Sequence, residues 1–284
     1  MRLFLLATMT MTAFAANSVF NRLALAEGVI GPGSFAALRL LSGAVALAAL
    51  IWWQRGGQLA LGGRGRLVQT LALALYMLGF SHAYVTLDAG VGALILFGGV
   101  QVTMFAGAVL AREAQGPRRV IGAMLAFGGL AVLLWPVGPV RPLPLLGTLL
   151  MLVAALGWGV YSLGGRRAAD PLASTAANFV LATPLALLLL LLLPDAAPVT
   201  ASGTGLAVLS GVVTSGLGYA LWYTVLPRLS ASGAGVAQLS VPLIAAAGGF
   251  VLLAEVPDLR FWMSAVLVLG GVVLALWNPR RRAG

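Results

Sequence analysis

The stretch Gly107–Leu134, GAVLAREAQGPRRVIGAMLAFGGLAVLL, recurs 142 residues later as Gly249–Leu276, GFVLLAEVPDLRFWMSAVLVLGGVVLAL. Ten of the 28 aligned positions are identical without a gap, among them Glu113/Glu255, Arg118/Arg260 and the pairs Gly128-Gly129/Gly270-Gly271. Apolar positions match easily by chance, whereas matched charges and paired glycines do not. The offset is half of the 284 residues, so the chain reads as two copies, 1–140 and 141–284.

Working outward, both copies carry the composition of a lipid-embedded chain. The sequence is 61% hydrophobic and 8% charged, with mean hydropathy +1.02; a soluble domain carries about 25% charged residues. Cysteine and lysine are absent, so thiolate metal sites, cysteine nucleophiles, lysine Schiff bases and the lysine of a phosphate-binding loop are excluded. One histidine leaves no histidine-pair haem and no H-E-x-x-H zinc site. No metal and no cofactor is expected, nor nucleic acid despite the net charge of +10, which reads as orientation charge at a bilayer.

About 20 apolar residues cross a bilayer, and ten such spans can be laid out: 3–23, 33–53, 67–88, 90–111, 118–136, 143–164, 171–193, 203–226, 231–254 and 259–277. The first follows Arg2 like a signal peptide but lacks an obvious cleavage site, so it reads as a span. With the N-terminus cytoplasmic, 13 arginines fall on that side and Arg22, Arg141 and Arg260 on the other. The positive-inside rule then puts both termini in the cytoplasm. Five spans per copy, an odd number, force the copies into opposite orientations. The expected fold is an all-α polytopic membrane protein, ten transmembrane helices in two inverted five-helix repeats around a central cavity, the architecture of secondary transporters.

In such folds the pathway is marked by glycine- or proline-interrupted helices at matching positions. Gly98-Gly99 in span 4 and Ser240-Val241-Pro242 in span 9 occupy the same offset, and are expected to break their helices or gate the path. The polar and aromatic residues expected to bind cargo are Asn17, His82, Gln101, Trp158, Tyr161, Tyr219 and Gln238. His82 either lines the cavity, where it would answer to pH, or packs against a neighbouring backbone. Arg39 either attracts a carboxylate or reaches outward to the headgroups. Glu113 and Glu255, at span ends, are expected to brace helix termini, and the paired glycines to let spans 5 and 10 approach a neighbour. No carboxylate lies deep in a span, so ion coupling is either weak or rests on His82.

Ten spans in two copies, Phe35–Leu40 (FAALRL), Ala111–Glu113 with its copy Ala254-Glu255, and the closing Gly-Gly spans resemble the drug/metabolite transporter (DMT) superfamily with paired EamA domains. Ser81–Tyr84 (SHAY) is similar to the bacterial YddG-type exporters of aromatic and other neutral amino acids. That resemblance implies an inner-membrane exporter with a cavity lined mainly by spans 1, 3, 4, 6, 8 and 9; a monomer that is not an enzyme is expected. The tryptophan-glycine pair expected near the end of span 1 is Ala15-Ala16 here and survives in the second copy as Trp158-Gly159. Export of another small amphiphile, such as a drug or nucleobase, stays open, as does a non-saturating channel.

Overall fold

A computed structural model describes residues 2–56, 59–112, 116–135, 142–165, 168–225, 228 and 237–276. Glu113, Arg141, Arg166, Arg167, Trp277, Arg280, Arg281, Arg282 and the Tyr223 side chain lie outside the described residues. Within them every element is a helix: α1 Arg2–Ala26, α2 Pro32–Arg55, α3 Arg66–Ala83, α4 Ala89–Leu110, α5 Pro117–Leu134, α6 Leu145–Gly165 and α7 Pro171–Leu192. A rod follows, made of α8 Ala201–Leu209, the π-helical segment π1 Ser210–Leu217 and α9 Gly218–Val225; then come α10 Ser240–Leu253 and α11 Leu259–Leu276.

Seven of these are long and apolar enough to cross a membrane: α1, α2, α4, α5, α6, α7 and the rod over Ala201–Trp222. Residues 240–253 and 259–275 form shorter apolar helices. Large apolar side chains cover the outside, with Leu191, Val251 and Val266 each more than two-thirds exposed. Water would not tolerate so broad an apolar surface on a monomer; acyl chains match it. The molecule is a multi-pass membrane protein.

The helices begin where the sequence removes the cost of beginning. Pro32, Pro117 and Pro171 stand in first turns, where a missing N–H breaks no bond. Asp170 and Thr200 accept from Ala173 N and Gly203 N, each at 3.1 Å. Asp195 accepts from Gly33 N and Ser34 N and so covers the start of α2. At the same end Arg22 Nε donates to Glu255 Oε1 at 2.7 Å, while Glu255 Oε2 accepts from Ala89 N at 2.8 Å. Glu255 therefore braces the start of α4, as its position suggested. Burial holds its carboxyl above the usual range, against the opposing pull of Arg22 and the Ala89 amide. At the opposite end Arg66 Nη1 donates to Ser174 O and Asn178 Oδ1, both at 2.9 Å.

The closest helix pair is α5 on α11. A methyl on Gly122 would collide with Gly271 O, and one on Gly271 with Gly122 O; one on Gly129 would meet Val268 N at 2.9 Å. One glycine of each pair does this, since Gly128 and Gly270 have nothing within 4 Å. The expected neighbour of each glycine helix is the other one.

The symmetric helix break is not there. α4 runs through Gly98 and Gly99 without interruption. A Cβ at Gly98 would meet Leu130, and one at Gly99 would meet Ala155, so these glycines admit neighbours instead of loosening the helix. In the second copy the chain does break, at a turn on Leu239. Ser240 opens α10 and Pro242 sits in its first turn, where proline forfeits no helical hydrogen bond.

Candidate substrate cavity

Midway through the bundle α1, α2, α3, α4, α6 and the rod converge on a cavity lined by Phe14, Asn17, Ser18, Arg39, Tyr76, Phe80, Leu96, Phe97, Trp158, Thr214 and Tyr219. Arg39 is seven residues into α2 and Phe97 eight into α4, about 10–12 Å from the helix ends at 1.5 Å per residue. The void holds about 20 Å³, room for about one water. It is too small to hold a solute of amino-acid size.

One wall is aromatic. Trp158 stacks on Tyr219 at 5.3 Å and on Tyr161 at 5.6 Å between ring centroids, and Tyr76 leans on it at 4.8 Å. Phe14 meets Tyr219 edge-on at 5.8 Å. Tyr161 itself lies behind this wall, buried, with its hydroxyl on Thr175 Oγ1.

The facing wall is polar. Asn17 Oδ1 accepts from Ser210 Oγ at 2.6 Å and Thr214 Oγ1 at 3.1 Å, and Asn21 Nδ2 donates to Asn17 O at 2.9 Å. Ser81 Oγ donates to Asn21 Oδ1, so the network ties α1 to both α3 and the rod. π1 makes this possible. Its wider turns bring Ser210, Thr214 and Ser215 inward together, and such π segments inside α-helices mark functional sites disproportionately. Gly43 and Gly211 let α2 lie directly against π1, since a Cβ on either would meet the other's backbone.

That contact seats Arg39, which is completely buried. Its Nε donates to Ser215 Oγ at 3.0 Å and its Nη2 to the Tyr76 hydroxyl at 3.2 Å, while the guanidinium carbon lies 5.5 and 5.1 Å from the centres of the Tyr76 and Phe80 rings. Nη1 is buried with no hydrogen-bond partner. No carboxylate lines the cavity among the described residues. Stripping an ion of water costs several kcal/mol, and cation–π contacts return about 0.5–2 kcal/mol each. Two neutral acceptors and two rings hold the cation without neutralising it. Arg39 does not reach outward to the headgroups.

Of the seven residues expected to bind cargo, Asn17, Trp158 and Tyr219 line the cavity, and Tyr161 supports it from behind. His82, Gln101 and Gln238 do not line it. His82 is half-buried, its Nδ1 2.8 Å from Leu78 O. The helical face expected to join it to Gly79 and Thr86 stops short, because α3 ends at Ala83 and Thr86 lies in the turn beyond; a Cβ on Gly79 would meet Leu150 O of α6, and one on Gly147 would meet Thr86. Gln101 is one turn beyond Phe97, and Gln238 precedes the Leu239 turn; both are half-buried. Span 2 contributes Arg39, whereas the described part of span 9 contributes no lining residue. Phe14, Ser18, Tyr76, Phe80, Phe97 and Thr214 were not singled out in the sequence. The Tyr76/Phe80 pair, one turn apart and one turn before Tyr84, is the signal that marks α3's inner face.

Residues 145–277 match the family model described as "EamA-like transporter family". A curated protein of Pseudomonas aeruginosa, "Uncharacterized protein PA1977", is 46% identical over 275 residues, 97% of this chain and 94% of its own. The chain belongs to the EamA-like transporter family. An "Uncharacterized transporter" of Archaeoglobus fulgidus is 28% identical to this EamA-like transporter over 95% of the chain and 96% of its own length. A solved structure described as "Crystal structure of protein" shares the fold, with TM-score 0.67 at 22% identity, covering 97% of this chain and 99% of that one. The EamA-like domain match and the relatives named transporters also bear out the expected place in the DMT superfamily.

Proposed function

We propose that this EamA-like transporter is a secondary carrier exporting aromatic and other neutral amino acids across the bacterial inner membrane by alternating access, with both termini cytoplasmic. The observation that carries the reading is the cavity in mid-bundle, lined by a wall of stacked rings and by a buried guanidinium with one unpartnered nitrogen. Rings give a flat apolar surface to an aromatic side chain, and a guanidinium takes a carboxylate. Arg39 disfavours the alternative of a cationic drug.

Ten spans in two inverted repeats, 1–140 and 141–284, are supported by the helix pairings. Exchanging the first five helical rods for the last five preserves the main pairings: α2 with α7, α4 with α10, α5 with α11, α3–α6 against α1–rod, and α4–α6 against α1–α10; α4 on α5 has no α10–α11 counterpart among the described residues. Arg112 and Ala254, 142 positions apart, are also the two non-glycine residues with left-handed backbone among the described residues, each at φ 54°. A carrier needs such symmetry to swap its open side.

Counterflow in proteoliposomes tests the proposal. Labelled phenylalanine should accumulate transiently, saturably, and only when unlabelled amino acid is preloaded. Flux linear in concentration with no counterflow would identify a channel, and no flux of any amino acid would sink the assignment.

A further inference from the structure

Asn17 Oδ1 receives the Ser210 hydroxyl at 2.6 Å and shares the Thr214 hydroxyl with Ser210 O, and the Tyr76 and Phe80 rings nearest Arg39 already lie against its guanidinium. Arg39 lines the cavity and no carboxylate does among the described residues, so an incoming ammonium meets like charge whereas a carboxylate meets its counter-ion. We propose that the cavity recognises its cargo as an aromatic monocarboxylate anion, with the carboxylate on Arg39 and the ring against Trp158 and Tyr219, so that the α-amino group is dispensable. This rests on the reading of the cavity as the transport site and names what that site selects.

The charges favour the anion. Arg39 brings one positive charge into a low-dielectric pocket that holds no carboxylate. A deaminated aryl acid cancels that charge; a zwitterion cancels it and brings in a second cation that must itself be desolvated beside Arg39. Nη1 has no hydrogen-bond partner, and only a planar guanidinium offers the geometry that takes a carboxylate as a fork. Lysine would keep the charge and lose that geometry.

The experiment uses the full-length protein in proteoliposomes, with labelled 3-phenylpropanoate and labelled phenylalanine each tested for counterflow. Unlabelled phenylalanine, 3-phenylpropanoate, phenethylamine and propanoate serve as competitors. The expected result is that 3-phenylpropanoate is carried and competes at least as well as phenylalanine, while phenethylamine and propanoate do not compete. Arg39→Lys should weaken 3-phenylpropanoate by about 10-fold or more, the loss expected when a bidentate charged pair becomes a single contact. Its folding is checked by size-exclusion profile and thermal midpoint, and Arg39→Gln provides a second variant. Phenylalanine carried without competition from 3-phenylpropanoate overturns the inference and leaves the amino-acid reading standing. So does phenethylamine or propanoate competing as well as phenylalanine, or a folded Arg39→Lys protein that handles the acid unchanged. The acid carried and phenylalanine excluded overturns the amino-acid reading and leaves the carboxylate site. Neither carried overturns both.

Discussion

Each glycine pair offers its own control. Gly270 and Gly271 are neighbours in α11, yet a methyl on Gly270 meets nothing within 4 Å, while one on Gly271 meets Gly122 O at 2.5 Å, Ala126 N at 2.8 Å and Leu125 Cβ at 2.9 Å. Two of those three obstacles are backbone and cannot rotate away. Gly270→Ala and Gly271→Ala share whatever helix propensity alanine adds, up to about 1 kcal/mol, so the difference between them isolates the clash. Overpacking by one methyl costs about 1–3 kcal/mol, and Gly271→Ala should be less stable than Gly270→Ala by that amount. The first copy repeats the experiment: Gly129→Ala should fall below Gly128→Ala. The double variant Gly122→Ala/Gly271→Ala should cost less than the sum of its parts. Once α5 and α11 separate for one methyl, room for the second already exists, a coupling of about 0.5–3 kcal/mol. Denaturation by sodium dodecyl sulfate from mild-detergent micelles, followed by far-ultraviolet circular dichroism, reads all six, the single Gly122→Ala included. If Gly270→Ala proves as costly as Gly271→Ala, the packing of α5 on α11 described above is wrong.

Three further perturbations address the site and its borders. Asn17→Ala leaves the Ser210 hydroxyl without its acceptor and cuts the tie from α1 to the rod; at about 0.6–1.7 kcal/mol per hydrogen bond in membrane helices, stability in the same assay should fall by about 1–3 kcal/mol, and phenylalanine counterflow should fall with it. His82→Gln should leave both the rate and the pH dependence of transport unchanged, because the ring does not line the cavity; loss of a pH-dependent gradient effect in proteoliposomes would return His82 to the mechanism. The raised pKa of Glu255 means that the folded chain binds its proton more tightly than the unfolded chain. This group's contribution is therefore complete below the ordinary glutamate range and is lost as pH rises through the raised value. The thermal midpoint of the native protein minus that of Glu255→Gln should decline as pH rises above the ordinary glutamate range; a difference that rises instead would mean that the ion pair with Arg22 outweighs burial.

Sequence alone carried the class, because charge depletion survives translation into helices unchanged. It also carried Trp158, Tyr219 and Asn17, whose polar atoms are costly in lipid and so advertise an inward position. The Phe14, Phe80 and Phe97 side chains carry no such cost, and an apolar ring facing a cavity is indistinguishable by composition from one facing lipid. His82 misled for the converse reason: a polar ring can satisfy itself on its own helix, as the approach to Leu78 O does here. Arg39 required the fold, since only the partners of its nitrogens separate a headgroup-seeking arginine from a buried one. Gly98-Gly99 and Ser240–Pro242 share a register and serve different ends, one admitting neighbours and the other opening a helix.

The π segment has a consequence for how cargo preference can drift. Thr214 and Tyr219 are five residues apart, a spacing that an ordinary α-helix would splay by more than a third of a turn, yet both line the same void. Rewinding 210–217 as an ordinary α-helix at unchanged length would swing the tyrosine away by roughly 100°, whereas removing one residue along with the rewinding would leave it on the same face as Thr214. Substitutions that tighten this winding would thus re-face the aromatic wall while all eleven lining side chains kept their chemical identity. Among kindred chains, substitutions in this octet at constant length are where a change of diet would be written.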